Sequence, residues 1–126
     1  MKVLQVIDQA FRTTTEEQDD TIIWLTRSMR SAGGELMLLL SGHGVHYAVQ
    51  RRRQPALALG AWHQTEPAEI TRDLAGLVDS GVPVYAVEED LADRGLAHLP
   101  LQNGVRGISR QGLATLYDSA DQIWHW

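Results

Sequence analysis

Glu88-Glu89-Asp90, with Asp93 three residues further on, gathers four carboxylates directly after the apolar run Val82-Pro83-Val84-Tyr85-Ala86-Val87. Carboxylates where a buried strand hands over to the next element can work as general acid and base, given a basic or nucleophilic partner within hydrogen-bond reach. No such partner is adjacent in sequence. Acids in the first turn of a helix also favour the positive end of its dipole, and this helix-stabilising role is the one we assign them. Arg94 follows at a spacing that lets it pair with Glu89 or Asp90, or leaves it facing a neighbouring subunit.

His43 and His46 form the second candidate group. Their three-residue separation across a glycine turn allows two imidazoles on one metal, with a third ligand needed from His63 or a carboxylate. Nothing in the sequence fixes either nearby, so we expect a polar turn and no metal. The glycines of Ser41-Gly42-His43-Gly44 let backbone amides approach an anion or a partner group. They serve equally to turn the chain sharply after a strand, and we take the turn as primary and a pocket as secondary. Arg51-Arg52-Arg53 suits the end of a helix or a patch for an acidic protein partner better than a polyanion.

The composition bounds the chemistry further. In 126 residues there are 11 basic and 16 acidic side chains, a formal charge of -5, which disfavours nucleic acid or an anionic membrane as partner. Cysteine is absent, which removes disulfides, thiolate metal sites and any cysteine nucleophile. No cofactor is expected. Met1-Lys2-Val3-Leu4 leads into Gln5 and Asp8, too short for an apolar signal core, and Leu36 to Leu40 is too short to span a bilayer. A cytoplasmic protein is the expectation.

The elements that must position these residues alternate in type. Val3 to Ile7 reads as a buried strand ending at Asp8. Thr13-x-x-Glu16 and Thr14-x-x-Glu17 are capping-box patterns that predict a helix start close by, with Ile22, Leu25 and Met29 on its apolar face and Gly33-Gly34 as its stop. Leu36 to Leu40 is a second strand. After the glycine turn, Val45, Ala48 and Val49 predict a short helix reaching towards Arg51. Gln54 to Gln64 is the least legible segment, and within it Ala56 to Trp62 is apolar enough for a strand, a helical turn or an interface segment. Pro67 suits a helix start, and Ile70, Leu74, Leu77 and Val78 give the period up to Gly81. The strand ending at Val87 and a short helix stopped by Gly95 follow. Gly104 to Ser109 is a further strand, Ser109 caps a helix bearing Leu113, Leu116 and Tyr117, and Ala120 to Trp126 is the last strand. Strands alternating with helices predict one α/β domain: three layers, α/β/α, around a mainly parallel sheet.

Two segments and the chain's last residues carry a family likeness. Leu38-Leu39-Leu40-Ser41-Gly42-His43-Gly44-Val45 resembles the strand–turn segment of the DsrE/DsrF/DsrH superfamily of sulfur-relay proteins, which includes TusB, TusC and TusD. Val84 to Leu96 resembles a second such segment, closest to the DsrH/TusB branch, where an acidic pair precedes Leu-x-x-Arg-Gly-Leu. Ile123-Trp124-His125-Trp126 is similar to the tryptophan-terminated tail of that branch, whereas the first half looks more like DsrE and DsrF.

The resemblance implies a five-stranded parallel sheet, assembly into dimers, trimers or hexamers, and cytoplasmic sulfur transfer through a cysteine persulfide. Matching Leu91 and Arg94-Gly95-Leu96 to the family pattern places that cysteine at Val87, or at Ala86 if the match slips by one. Neither side chain can accept a sulfane sulfur. The expectation is therefore a non-catalytic, cysteine-free relative: an oligomeric subunit, or an accessory protein for other sulfur-relay subunits. Ser41, Gly42, His43, Gly44, His46, Glu88, Glu89 and Arg94 are its candidate pocket or partner contacts. Trp62, Trp124 and Trp126 are candidate interface residues, because tryptophan is enriched at subunit contacts. Trp24 completes the four tryptophans. Two alternatives stand beside it: a metal- or carboxylate-dependent enzyme on the same fold, and a module binding small ligands or anions.

Overall fold

The computed structural model describes residues 1–11, 20–50, 56–65 and 69–126. In chain order the elements are β1 (Lys2–Ile7), α1 (Thr21–Ser31), β2 (Glu35–Leu40), a 3₁₀ helix (Gly42–Tyr47), β3 (Ala58–Leu59), β4 (Trp62–His63), α2 (Ile70–Asp79), β5 (Val84–Val87), α3 (Glu88–Asp93), β6 (Val105–Ile108), a 3₁₀ turn (Arg110–Gly112), α4 (Leu113–Asp118) and β7 (Gln122–His125). Five strands form one sheet in the order β6-β5-β2-β1-β7, every pair parallel. This is the predicted three-layer α/β/α arrangement.

β2 lies at the centre because Leu36 to Leu40 has no polar face to show to water, and all five of those side chains are buried. Alternation along the strands divides the apolar residues between two layers. Val3, Ile7, Leu36, Leu38, Leu40, Val84 and Ala86 pack on one side with Ile22 and Ile23 of α1, Leu74 and Leu77 of α2, and Leu91 of α3. Leu4, Val6, Met37, Leu39 and Val87 form the smaller second core, closed by Leu116 of α4.

α1 begins at Thr21, where Asp20 is its N-cap and accepts from the amides of Ile22 (2.9 Å) and Ile23 (3.2 Å). The predicted capping boxes at Thr13 to Glu17 lie outside the described residues. Asp20 also accepts from the Tyr47 hydroxyl at 2.7 Å, and Gln102 donates to the Tyr47 carbonyl at 2.7 Å. These contacts satisfy the polar groups of a nearly closed layer and fix the 3₁₀ helix against α1.

One local expectation is corrected, and one left open is decided. The helix predicted to run from Val45 towards Arg51 is the 3₁₀ helix Gly42–Tyr47, and it takes in the glycine turn itself. Its start is set by Gly44, whose amide donates to both Ser41 O (2.8 Å) and Asp8 O (3.1 Å). A Cβ on Gly44 would lie 2.1 Å from the Ile7 carbonyl oxygen, so only glycine permits this close approach to β1. Beyond it Val49 bridges to Leu101, while Arg51-Arg52-Arg53 and Pro67 lie outside the described residues. The undecided segment contains a small antiparallel hairpin, Ala58–Leu59 against Trp62–His63, turning at Gly60 with φ +59°.

Candidate functional site

β5 delivers Val87 to the carboxyl edge of the sheet, where ligands gather in open parallel sheets. Val87 is only 1% exposed and packs in the second core, and Ala86 is fully buried in the first. Both positions that the resemblance matches to a cysteine are therefore packing residues. Ile7 pairs with Leu40 and Leu40 with Ala86, so the next positions, Asp8, Ser41 and Val87, line up across three strand ends on the α4 side of the sheet.

That row carries a polar cluster which no sequence spacing announces. Ser41 Oγ donates to Asp8 Oδ1, and His125 Nε2 meets Asp8 Oδ2. A carboxylate only accepts, so Nε2 carries the proton in this contact. β1, β2 and β7 each contribute one residue, and strand order alone unites them. The carboxylate stands between hydroxyl and imidazole. In a serine–histidine–aspartate relay the imidazole stands between the other two and takes the hydroxyl proton, so this cluster is wired differently. Proton transfer from Ser41 would run directly to Asp8.

Asp90 is the hub of a second, adjoining network. It accepts from the Gly42 amide (2.8 Å) and from Arg110 (2.6 Å), and Arg110 reaches Asp93 as well (3.2 Å). Burial alone pushes the Asp90 carboxyl up, but the Gly42 amide and the Arg110 and Arg94 guanidinium groups together hold it below its ordinary value. Gly42, at φ +52°, is what turns its amide into this contact. Arg94 donates to the Asp90 carbonyl (3.2 Å) and to His43 Nδ1 (3.3 Å). Glu89 accepts from the Arg110 amide at 2.9 Å. Glu88, Glu89 and Asp90 do occupy the first turn of α3, as predicted. Yet Glu89 and Asp90 direct oxygens to neighbouring segments, so they also fasten the 3₁₀ helix and the β6–α4 connection to α3. Glu88 is exposed and lies over Gly107, where a Cβ would come within 2.6 Å of its Oε1.

The structure thus brings Ser41, Gly42, His43, Glu89 and Arg94 to one edge, joined by Asp8, Asp90, Arg110 and His125. Asp90 was among the acids singled out in sequence, whereas Asp8, Arg110 and His125 were not read as site residues. Gly44 shapes the edge from beneath. The rings of His43 and His46 are 6.4 Å apart and nearly parallel. His63 sits on the separate hairpin, and among the described residues no three His, Asp or Glu side chains gather in metal-binding geometry.

The three interface candidates occupy different settings. Trp62, with Leu59, projects from the hairpin, both more than half exposed. Trp124 packs against the main core and donates to Gln122 Oε1. Trp126 donates through Nε1 to the wholly buried Gln5 (2.7 Å), while its backbone continues the β1–β7 ladder. Among the described residues, no helix is long and apolar enough to cross a membrane.

Neither models of known families nor curated protein sequences give any match to this chain. Solved structures do. The ychN protein from E. coli superposes with a TM-score of 0.73 at 21% identity, covering 99% of this chain and 97% of that one. MTH1491 from Methanobacterium thermoautotrophicum, itself described as a protein of unknown function, gives a TM-score of 0.66 at 16% identity over 98% and 97% of the two chains. At these identities the likeness is one of fold, and it extends over essentially the whole length of each chain.

Proposed function

We propose that the protein is a non-catalytic, cysteine-free member of the DsrE/DsrF/DsrH-like sulfur-relay group, acting in the cytoplasm as an oligomeric subunit or as an accessory protein to other relay subunits. One observation carries the reading. The position matched to the family's sulfur-bearing cysteine is a valine sealed into the second core, so the strand supports the fold and offers no acceptor. The full-length fold likeness to the ychN protein supports the architecture that the sequence resemblance implies. In this role the rim of Ser41, Gly42, His43 and Arg94 is a docking edge for a sulfur-bearing partner, and Trp62 on its exposed hairpin is a contact within the assembly.

Incubation with a persulfurated carrier protein followed by intact-mass measurement tests the reading. No covalent adduct is expected, and a stable gain of about 32 Da per sulfur atom would overturn it. Light scattering on the purified chain tests the assembly, where a monomer at all concentrations that captures no relay protein would remove the subunit role.

A second reading, a carboxylate-dependent enzyme on the same fold, is favoured by the Asp8–Ser41–His125 cluster at the strand ends. Asp8→Asn discriminates the two. Turnover of model ester or phosphoester substrates that is lost in the variant supports the enzyme, and no turnover in the native chain with unchanged partner binding by the variant supports the subunit.

A further inference from the structure

One groove departs from the chain's acidic character. Arg27 and Arg30 on α1 face Arg72, Asp73, Gly76 and Ser80 on α2 across a groove of about 480 Å³. The groove follows α2 from its first turn, at Arg72 and Asp73, to its C-cap Ser80, and it draws on the later turns of α1, which lead into the start of β2. None of Asp8, Ser41 and His125 lines it. Its walls carry three guanidinium groups and one carboxylate, in a chain whose net charge is -5.

Two of the three arginines, Arg27 and Arg30, form no ion pair among the described residues. Arg30 is held by neutral groups: Nε donates to the Ser80 carbonyl (3.1 Å) and Nη1 to the Gly34 carbonyl (3.3 Å). Its charge is thus positioned at the ends of two helices without being cancelled. The Arg27 guanidinium makes no hydrogen bond or ion pair among the described residues. Arg72 pairs with Glu69 at 3.0 Å but is 79% exposed, at the rim.

Gly76 is the independent observation. It stands in the interior of α2, where glycine is unfavourable relative to alanine. Gly76 is exposed, and a Cβ built there would meet nothing within 4 Å outside its own helix's backbone and its chain neighbours, so the fold itself has no need of the space. The space belongs to the groove. A glycine that weakens its helix while clearing a cationic recess is explained by something that enters the recess and comes close to the backbone.

We propose that this groove binds a small ligand through a multiply charged oxyanion, of the phosphate or sulfur-oxyanion type, gripped by Arg27 and Arg30 over the floor left open by Gly76. Guanidinium groups match such oxyanions through paired, charge-assisted hydrogen bonds. The volume falls within the range of about 300–1,000 Å³ typical of small-molecule sites. The chain's overall negative charge argues against an extended polyanion. This site is independent of the sulfur-relay reading, and either stands without the other.

Calorimetric titration of the intact chain at low ionic strength, with pyrophosphate in one arm and thiosulfate in the other, tests the proposal. Saturable binding of one probe per chain is expected, and the stronger arm names the ligand's source. Arg27→Ala, which removes no internal contact, is expected to weaken binding about tenfold. Gly76→Leu should fill the floor and abolish binding, while its far-UV circular dichroism stays native and its melting temperature does not fall. Arg106→Ala removes an exposed charge from β6 and should leave the affinity unchanged. Absence of saturable heat in both arms overturns the proposal. So does an affinity that survives both Arg27→Ala and Gly76→Leu, or one that falls equally in Arg106→Ala.

Discussion

Replacing Val87 tests whether the position at the end of β5 is a piece of core. The side chain is 1% exposed among Leu4, Val6, Met37, Leu39 and Leu116. Val87→Ala removes two methyl groups, worth about 1.6 kcal/mol of transfer free energy at roughly 0.8 kcal/mol per buried carbon. A void of roughly 40 Å³ adds about 1 kcal/mol at ~24 cal/mol per Å³. The expected loss is about 2.5 kcal/mol, which corresponds to a fall in melting temperature of ~9 °C at an unfolding entropy of ~2.1 cal/mol/K per residue. Urea unfolding should show a lower midpoint with an unchanged slope. Val87→Cys conserves most of the volume and should cost less than about 1.5 kcal/mol. Its thiol, buried in apolar surroundings, should stay protonated and resist alkylation until the chain unfolds. Because the natural chain has no cysteine, one label reports this one site by mass. A cost for Val87→Ala below about 0.5 kcal/mol, typical of an exposed position, would refute the packing role. Rapid alkylation of native Val87→Cys would refute it too, because it would show the position open to solvent.

Two further outcomes are expected. Asp90 is held below its ordinary value of 3.8 in the folded chain, so the stability it contributes is fully present above that pH and is lost as pH falls through the lower folded value. Arg110→Ala should raise the Asp90 value, seen by NMR titration of its carboxyl, and move the acid-unfolding midpoint upward. Asp20→Ala removes the α1 cap and the acceptor of the Tyr47 hydroxyl together, and chemical denaturation should show a loss of about 2–4 kcal/mol.

The sheet was legible because its central strands are buried on both faces. Leu36 to Leu40 and Val82 to Val87 then appear as unbroken apolar runs, and helical periods with glycine stops separate them. The hairpin at Ala58 to His63 was illegible for the opposite reason. Two-residue strands whose side chains are all exposed leave no alternation to read. The 3₁₀ helix was misplaced because Val45, Ala48 and Val49 are all buried, which imitates an α-helical face, whereas its geometry is set by Gly42 and Gly44 against β1. Much of the site escaped the sequence because its members are distant along the chain. Asp8 meets Ser41 across 33 residues and His125 across 117. No motif spans such gaps. Asp8 and Ser41 do each follow the last residue of a strand, and placing strand ends side by side in the observed order is the signal that would have paired them.

The position of β7 has a consequence for how the chain folds. β1 gains its second neighbour only when β7 arrives, and Trp126 then reaches Gln5 across 121 residues. Contacts of such separation carry a large loop-closure cost and slow the search for the native state. Until they form, one edge of β1 stays open, with Leu4 and Val6 beside unpaired backbone groups that invite pairing with another chain. During synthesis on the ribosome the β2–β1 and β2–β5 ladders can assemble well before that edge is closed. This interval is the one in which a chaperone or a partner strand has most to offer the protein, and in which a stalled or shortened product is most prone to aggregate.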